Sequence, residues 1–130
     1  MKTIYILGNP NFEQDSLPLR LLPKLQSSLP NFQFIHLDPT ENLPEESHLV
    51  LIDTVLGLKE VKTLSENDLN KIQSSPNYSL HDFDLSFSLK LMKKLNKIQK
   101  VTIIGVPSDY EENKALKEIK EIVNKIIQVP

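Results

Sequence analysis

The chain contains no cysteine, which excludes a disulfide framework, a thiolate nucleophile and any sulfur-ligated metal. A metal handled by this protein must therefore meet Asp, Glu or His. The absence also suits a reducing compartment, and the cytoplasm is the expected location. Charge of a single sign is missing as well. Fifteen basic and 17 acidic residues, for a formal net charge of -2, are spread along the sequence. So even a distribution makes no field able to steer the protein to phosphate backbones or anionic lipid, so neither nucleic acid nor a membrane is an expected partner. No apolar run approaches the roughly 20 residues that a membrane-spanning helix requires. The opening apolar run ends after a few residues at Gly8-Asn9-Pro10 and reads as a first strand rather than a signal peptide. Glycine is scarce too, at three residues, Gly8, Gly57 and Gly105.

What is present is enough for one core. At 130 residues and 39% hydrophobic, the chain predicts a single domain over 1–130 with one site, most simply a monomer. Short runs rich in β-branched residues stop at turn formers at about 2–7, 32–37, 48–53 and 100–105, with a weaker one near 60–64. Ile4, Ile6, Val50, Ile52, Val101, Ile103 and Ile104 lie in near-continuous apolar stretches, as parallel strands covered on both faces do. Between them, helical spacing predicts three amphipathic helices. The first starts near Asp15 and faces the sheet with Leu17, Leu21, Leu22 and Leu25; Pro18 suits its first turn, whereas Pro23 predicts a kink or an early end. The second starts near Asp84 and presents Leu85, Leu89, Met92 and Leu95. The third starts near Glu111 and presents Leu116, Ile119, Val123 and Ile126. Asp38 to Ser47 reads as an exposed loop, and 65–80 as a longer excursion. The alternation gives the fold class: α/β, a three-layer α/β/α sandwich around a mostly parallel twisted sheet of about five strands.

All three glycines fall close to the carboxyl ends of predicted strands, the edge at which open α/β sheets bind ligands. Three groups able to bind a metal or move a proton fall there too. Asp15 stands at the start of the first helix, where it either caps the helix or faces the crevice. Asp53 closes the run His48-Leu49-Val50-Leu51-Ile52, so an apolar strand delivers a carboxylate to its tip, where it needs a partner, a metal or solvent. His81, followed by Asp82, precedes the second helix. His36 and His48 read as strand or surface residues. Two carboxylates and an imidazole suit a divalent transition metal with open positions, although no compact metal motif such as HExxH is present.

These residues carry a resemblance. The run Ile6-Leu7-Gly8-Asn9-Pro10 through Gln14-Asp15, the strand Val50-Leu51-Ile52-Asp53-Thr54, and Ser79-Leu80-His81-Asp82 before a leucine-rich helix resemble, in order and spacing, the endopeptidases that mature the large subunit of nickel-iron hydrogenases. Val101 to Pro107 and the closing helix are similar to that family's final elements. The resemblance implies a metal-dependent, aspartic-type processing endopeptidase. It would recognise nickel already inserted in the hydrogenase large-subunit precursor, rather than hold its own, and remove the precursor's C-terminal extension. It further implies that Asp15, Asp53 and His81 are the catalytic and metal-contacting residues. The chain departs from the family at Gln14, where an acid is usual, at Ser16 and Asp84, where glycine is common, and around Gly57, the remnant of a glycine-proline-glycine segment. Two alternatives stand beside this reading: a non-catalytic, chaperone-like homologue that grips the precursor, and a receiver-like signalling domain. The latter requires an acidic pair after the first strand and a lysine after the last, where this chain has Gly8-Asn9 and Gly105-Val106-Pro107-Ser108. Neither GxGxxG nor a P-loop supports a nucleotide-binding module.

Overall fold

The computed structural model describes residues 2–8, 16–37, 43–65, 67–68, 79–80 and 84–126. In chain order these form β1 (Lys2–Ile6), α1 (Leu17–Ser28), β2 (Phe32–His36), β3 (His48–Leu56), β4 (Lys62–Leu64), β5 (Ser79–Leu80), α2 (Asp84–Lys94), β6 (Lys100–Val106) and α3 (Glu112–Ile126). Five strands lie in the order β2-β1-β3-β6-β4, and β5 pairs with β3 off that path. The β1–β2, β1–β3 and β3–β6 pairs are parallel, while β4 runs antiparallel to β6.

The period of two sorts the strand residues between two apolar layers. Ile4, Ile6, Val50, Ile52, Ile104 and Val106 pack with Leu17, Leu21 and Leu25 of α1 and with Ala115, Ile119 and Val123 of α3. Leu49, Leu51, Val55, Val101 and Ile103 form the other layer with Leu89 of α2 and with Ile98. The expected three-layer α/β fold is therefore the one adopted. Arg20 of α1 donates to Glu112 at the start of α3 at 3.0 Å, joining the two helices on their shared face.

Three expectations need correction. Pro23 does not end α1, which continues to Ser28. Leu17, Leu21 and Leu25 are each 0% exposed and anchor the helix on both sides of the proline. Pro23 itself is exposed, so the Leu19 carbonyl that loses its helical donor can turn to water. Leu95 does not face the sheet: α2 stops at Lys94 and Leu95 is 55% exposed. Asn96, at φ 61, ends that helix with Asn96 N–H donating to Lys93 O (3.1 Å) and Lys97 N–H to Met92 O (2.9 Å). This is the Schellman arrangement, and asparagine tolerates its left-handed position. Finally, β3 runs past Asp53 to Leu56 before turning at Gly57, whose φ of 96 favours glycine. Asp53 is thus inside the strand rather than at its tip.

Candidate functional site at the carboxyl edge of the sheet

The strand order places a switch point between β1 and β3. The connection from β1 leads to β2 on one side, whereas the next strand, β3, lies on the other. Diverging connections leave a crevice beyond the carboxyl ends at such a point. Here the backbone ladder shows where it opens. Among the described residues the last bond from β1 to β3 runs from Leu7 N–H to Ile52 O at 2.8 Å. The next donor on β3, the Thr54 N–H, is taken instead by Oδ1 of Asp53 at 2.8 Å. The Asp53 carboxylate therefore folds back over the boundary between the two strands, at the level of the last pairing among the described residues.

Asp53 is 3% exposed, in a strand whose other interior residues are apolar or threonine. Its partner across β6 is Gly105. A Cβ at Gly105 would lie 2.9 Å from Leu58 Cδ1, 3.1 Å from Val55 Cγ2 and 3.2 Å from Leu64 Cδ1. The glycine thus serves close packing within β6 rather than a turn, and apolar side chains close over it on the face that Asp53 shares. A carboxylate in such surroundings needs polar partners, of which the Thr54 N–H is one. Beside it, Thr54 is 0% exposed, and its Oγ1 has no hydrogen-bond partner among the described residues.

Asp15 and His81 lie outside the described residues, but the residues next to them do not. Ser16, which follows Asp15, is 9% exposed and is the N-cap of α1, without a side-chain capping bond. Leu80, which precedes His81, pairs with Val55, two residues beyond Asp53. Among the described residues no three of His, Cys, Asp and Glu gather as a metal-holding group; of the three predicted contact residues, only Asp53 is among them. As a donor, an aspartate oriented through one oxygen by a backbone N–H fits a divalent metal presented by a substrate.

His36, read from sequence as a strand or surface residue, belongs to this edge as well. It ends β2, and its Nε2 lies 3.0 Å from Gly8 O. His48 is at the opposite, amino edge, where its Nε2 meets Thr102 Oγ1 at 2.8 Å and Lys2 Nζ donates to its carbonyl. Burial first, then Lys2 and Lys100, hold its pKa below the ordinary 6.5, with Glu46 opposing. Below pH 6.5 the unfolded chain therefore takes up this proton more readily than the folded one, and stability is lost as pH falls. Urea midpoints measured from pH 7.5 to 5 should show that loss, with a shallower slope in His48→Gln. An unchanged slope in the variant would remove His48 from the account.

Comparison with known proteins follows the same direction. The sequence pattern of the family described as hydrogenase maturation protease (HycI) matches residues 36–129. The fold is similar to that of a [NiFe] hydrogenase maturation protease, HybD, from Thermococcus kodakarensis, with a TM-score of 0.69 and 21% identity over 97% of this chain and 99% of the other. It is also similar to the hydrogenase maturating endopeptidase HybD from E. coli (TM-score 0.58, 12% identity, 96% and 93% covered). A third similar structure is an uncharacterized protein from Wolinella succinogenes (TM-score 0.60, 13% identity, 97% and 99% covered). No curated protein matches the chain.

Proposed function

This chain belongs to the hydrogenase maturation protease family, and from that premise we propose that it recognises nickel in a hydrogenase large-subunit precursor and removes the precursor's C-terminal extension. The observation that carries this reading is the buried Asp53 carboxylate at the point where the β1–β3 ladder opens. In this reading Asp15, Asp53 and His81 contact the nickel, which arrives with the precursor as part of the substrate. The metal supplies Lewis acidity beside the scissile carbonyl, and the two carboxylates and the imidazole orient it and move protons as water adds across the peptide bond. The reaction is thus metal-dependent and needs neither a serine nor a cysteine nucleophile. Residues 1–130 act as one domain and one monomer on one precursor. Its action on that precursor takes place, in this reading, in the cytoplasm; among the described residues no helix is long and apolar enough to cross a membrane. Family membership weighs against a receiver-like role.

The decisive experiment offers purified protein the nickel-loaded and the metal-free precursor side by side. Shortening of the loaded form alone is expected, with cleavage lost in Asp15→Ala and His81→Ala variants that still fold. Equal cutting of both forms refutes nickel recognition. A stable complex with an uncut, nickel-loaded precursor would identify the chaperone-like homologue instead.

A further inference from the structure

On the β2 side of β1 the last backbone bond among the described residues also lies at the carboxyl edge, and the sequence bears on what can follow it. Ile6 is level with His36 in the parallel register, and Leu37 N–H donates to Ile6 O at 2.9 Å. Donors and acceptors of a parallel ladder recur at every second residue, so the next bond would join the N–H of residue 39 to Gly8 O. Residue 39 is proline and has no N–H. The acceptor is met instead by the His36 ring, whose Nε2 lies 3.0 Å from Gly8 O. A carbonyl can only accept, so the ring donates from Nε2, and Nε2–H is the tautomer this contact requires of a neutral ring.

We propose that His36 is a positioning residue: its imidazole gives the Gly8 carbonyl a donor that a proline at position 39 cannot supply, and fixes it where the chain leaves β1 towards Asp15. The backbone at this exit is then held from both sides. Leu7 is bonded to β3 through Ile52 O, and Gly8 is bonded to β2 through a side chain. Ile6 is level with Ile52, so the same register carries Gly8 to the level of Thr54, beside Asp53. A shift at Gly8 therefore moves the point from which the chain leaves β1, relative to the Asp53 carboxylate. The consequence for cleavage rests on the peptidase reading above; the hydrogen bond itself does not.

Two measurements on the full chain separate these. Nitrogen-15 NMR of the neutral ring should show the Nε2–H tautomer, and His36→Phe should shift the amide resonances of Gly8 and Thr54 more than those of α3. With nickel-loaded precursor, His36→Phe is expected to lower kcat/KM about ten- to a hundredfold, because small misplacements of a contacting group carry penalties of that order. His36 is exposed, so the melting temperature should stay within a few degrees. His36→Gln, with an amide N–H at a similar reach, should regain most of the lost activity. An Nδ1–H tautomer, or His36→Phe with wild-type kcat/KM, overturns the proposal. A wild-type protein that cuts no precursor overturns the peptidase reading instead, and the tautomer and amide shifts then decide the role of His36 alone.

Discussion

Asp53→Asn is expected to remove precursor cleavage almost completely, lowering kcat/KM by about a thousandfold or more, the scale seen when one preorganised electrostatic group is lost from an active site. The substitution is nearly isosteric. The side-chain carbonyl of asparagine can still accept from the Thr54 N–H, the bond that Oδ1 of Asp53 makes at 2.8 Å. What is lost is a negative charge at a residue 3% exposed. The Thr54 bond and the side-chain volume are kept, so the asparagine variant should stay within a few degrees of the wild type in melting temperature. Retained stability with lost activity is the pattern of a group kept for its charge in the reaction. A structural aspartate predicts the reverse, a fall of several degrees with residual cleavage. That second pattern would end the assignment of Asp53 to the site.

The places where sequence reasoning stopped short share a physical cause. The apolar run His48-Leu49-Val50-Leu51-Ile52 ends at Asp53, and that end of the run places the carboxylate at a strand tip. Yet Thr54, Val55 and Leu56 extend β3 beyond it, and one carboxylate oxygen takes the strand's own Thr54 N–H, opposite a neighbour, Gly105, that has no side chain. The alternation of apolar runs made β1, β2, β3 and β6 readable to within a few residues, since buried parallel strands announce themselves through composition. In contrast, β5 is two residues long, too short for any period, and exists as a pairing only because β3 continues to Val55 and Leu56. The role of His36 was hidden for a related reason. Pro39 is visible in the sequence, but the donor it lacks matters only once the β1–β2 register is known. Asp15 and His81 were drawn from the carboxyl-edge rule and from the family likeness, which residue periodicity alone does not supply.

Leu89→Ala is expected to cost about 2–5 kcal/mol, the range for a buried leucine truncated where neighbours relax only in part. For a chain of this size that is a fall in melting temperature on the order of 10 °C. Among the α2 side chains described, Leu89 alone is fully buried, at 0% exposure, packing in the layer formed by Leu49, Leu51 and Ile103. Lys90, Leu91, Lys93 and Lys94 are exposed. The far end of α2 is held separately by the Asn96 cap and by Ile98, 1% exposed. Asp84 begins α2 three residues past His81, so loosening that spreads from Leu89 to the amino end reaches the chain beside His81. Ile119→Ala provides the control, because Ile119 is equally buried but lies on α3, which carries none of the three proposed contact residues. Well below both melting temperatures, Leu89→Ala should show faster amide exchange in the first turns of α2 together with reduced kcat/KM. Ile119→Ala should lose stability of similar size and keep its kcat/KM, since local opening follows the element whose packing is removed. If the two variants lose stability alike and both cleave at the wild-type rate, α2 does not support the site, and the case for His81 must rest on its own substitution.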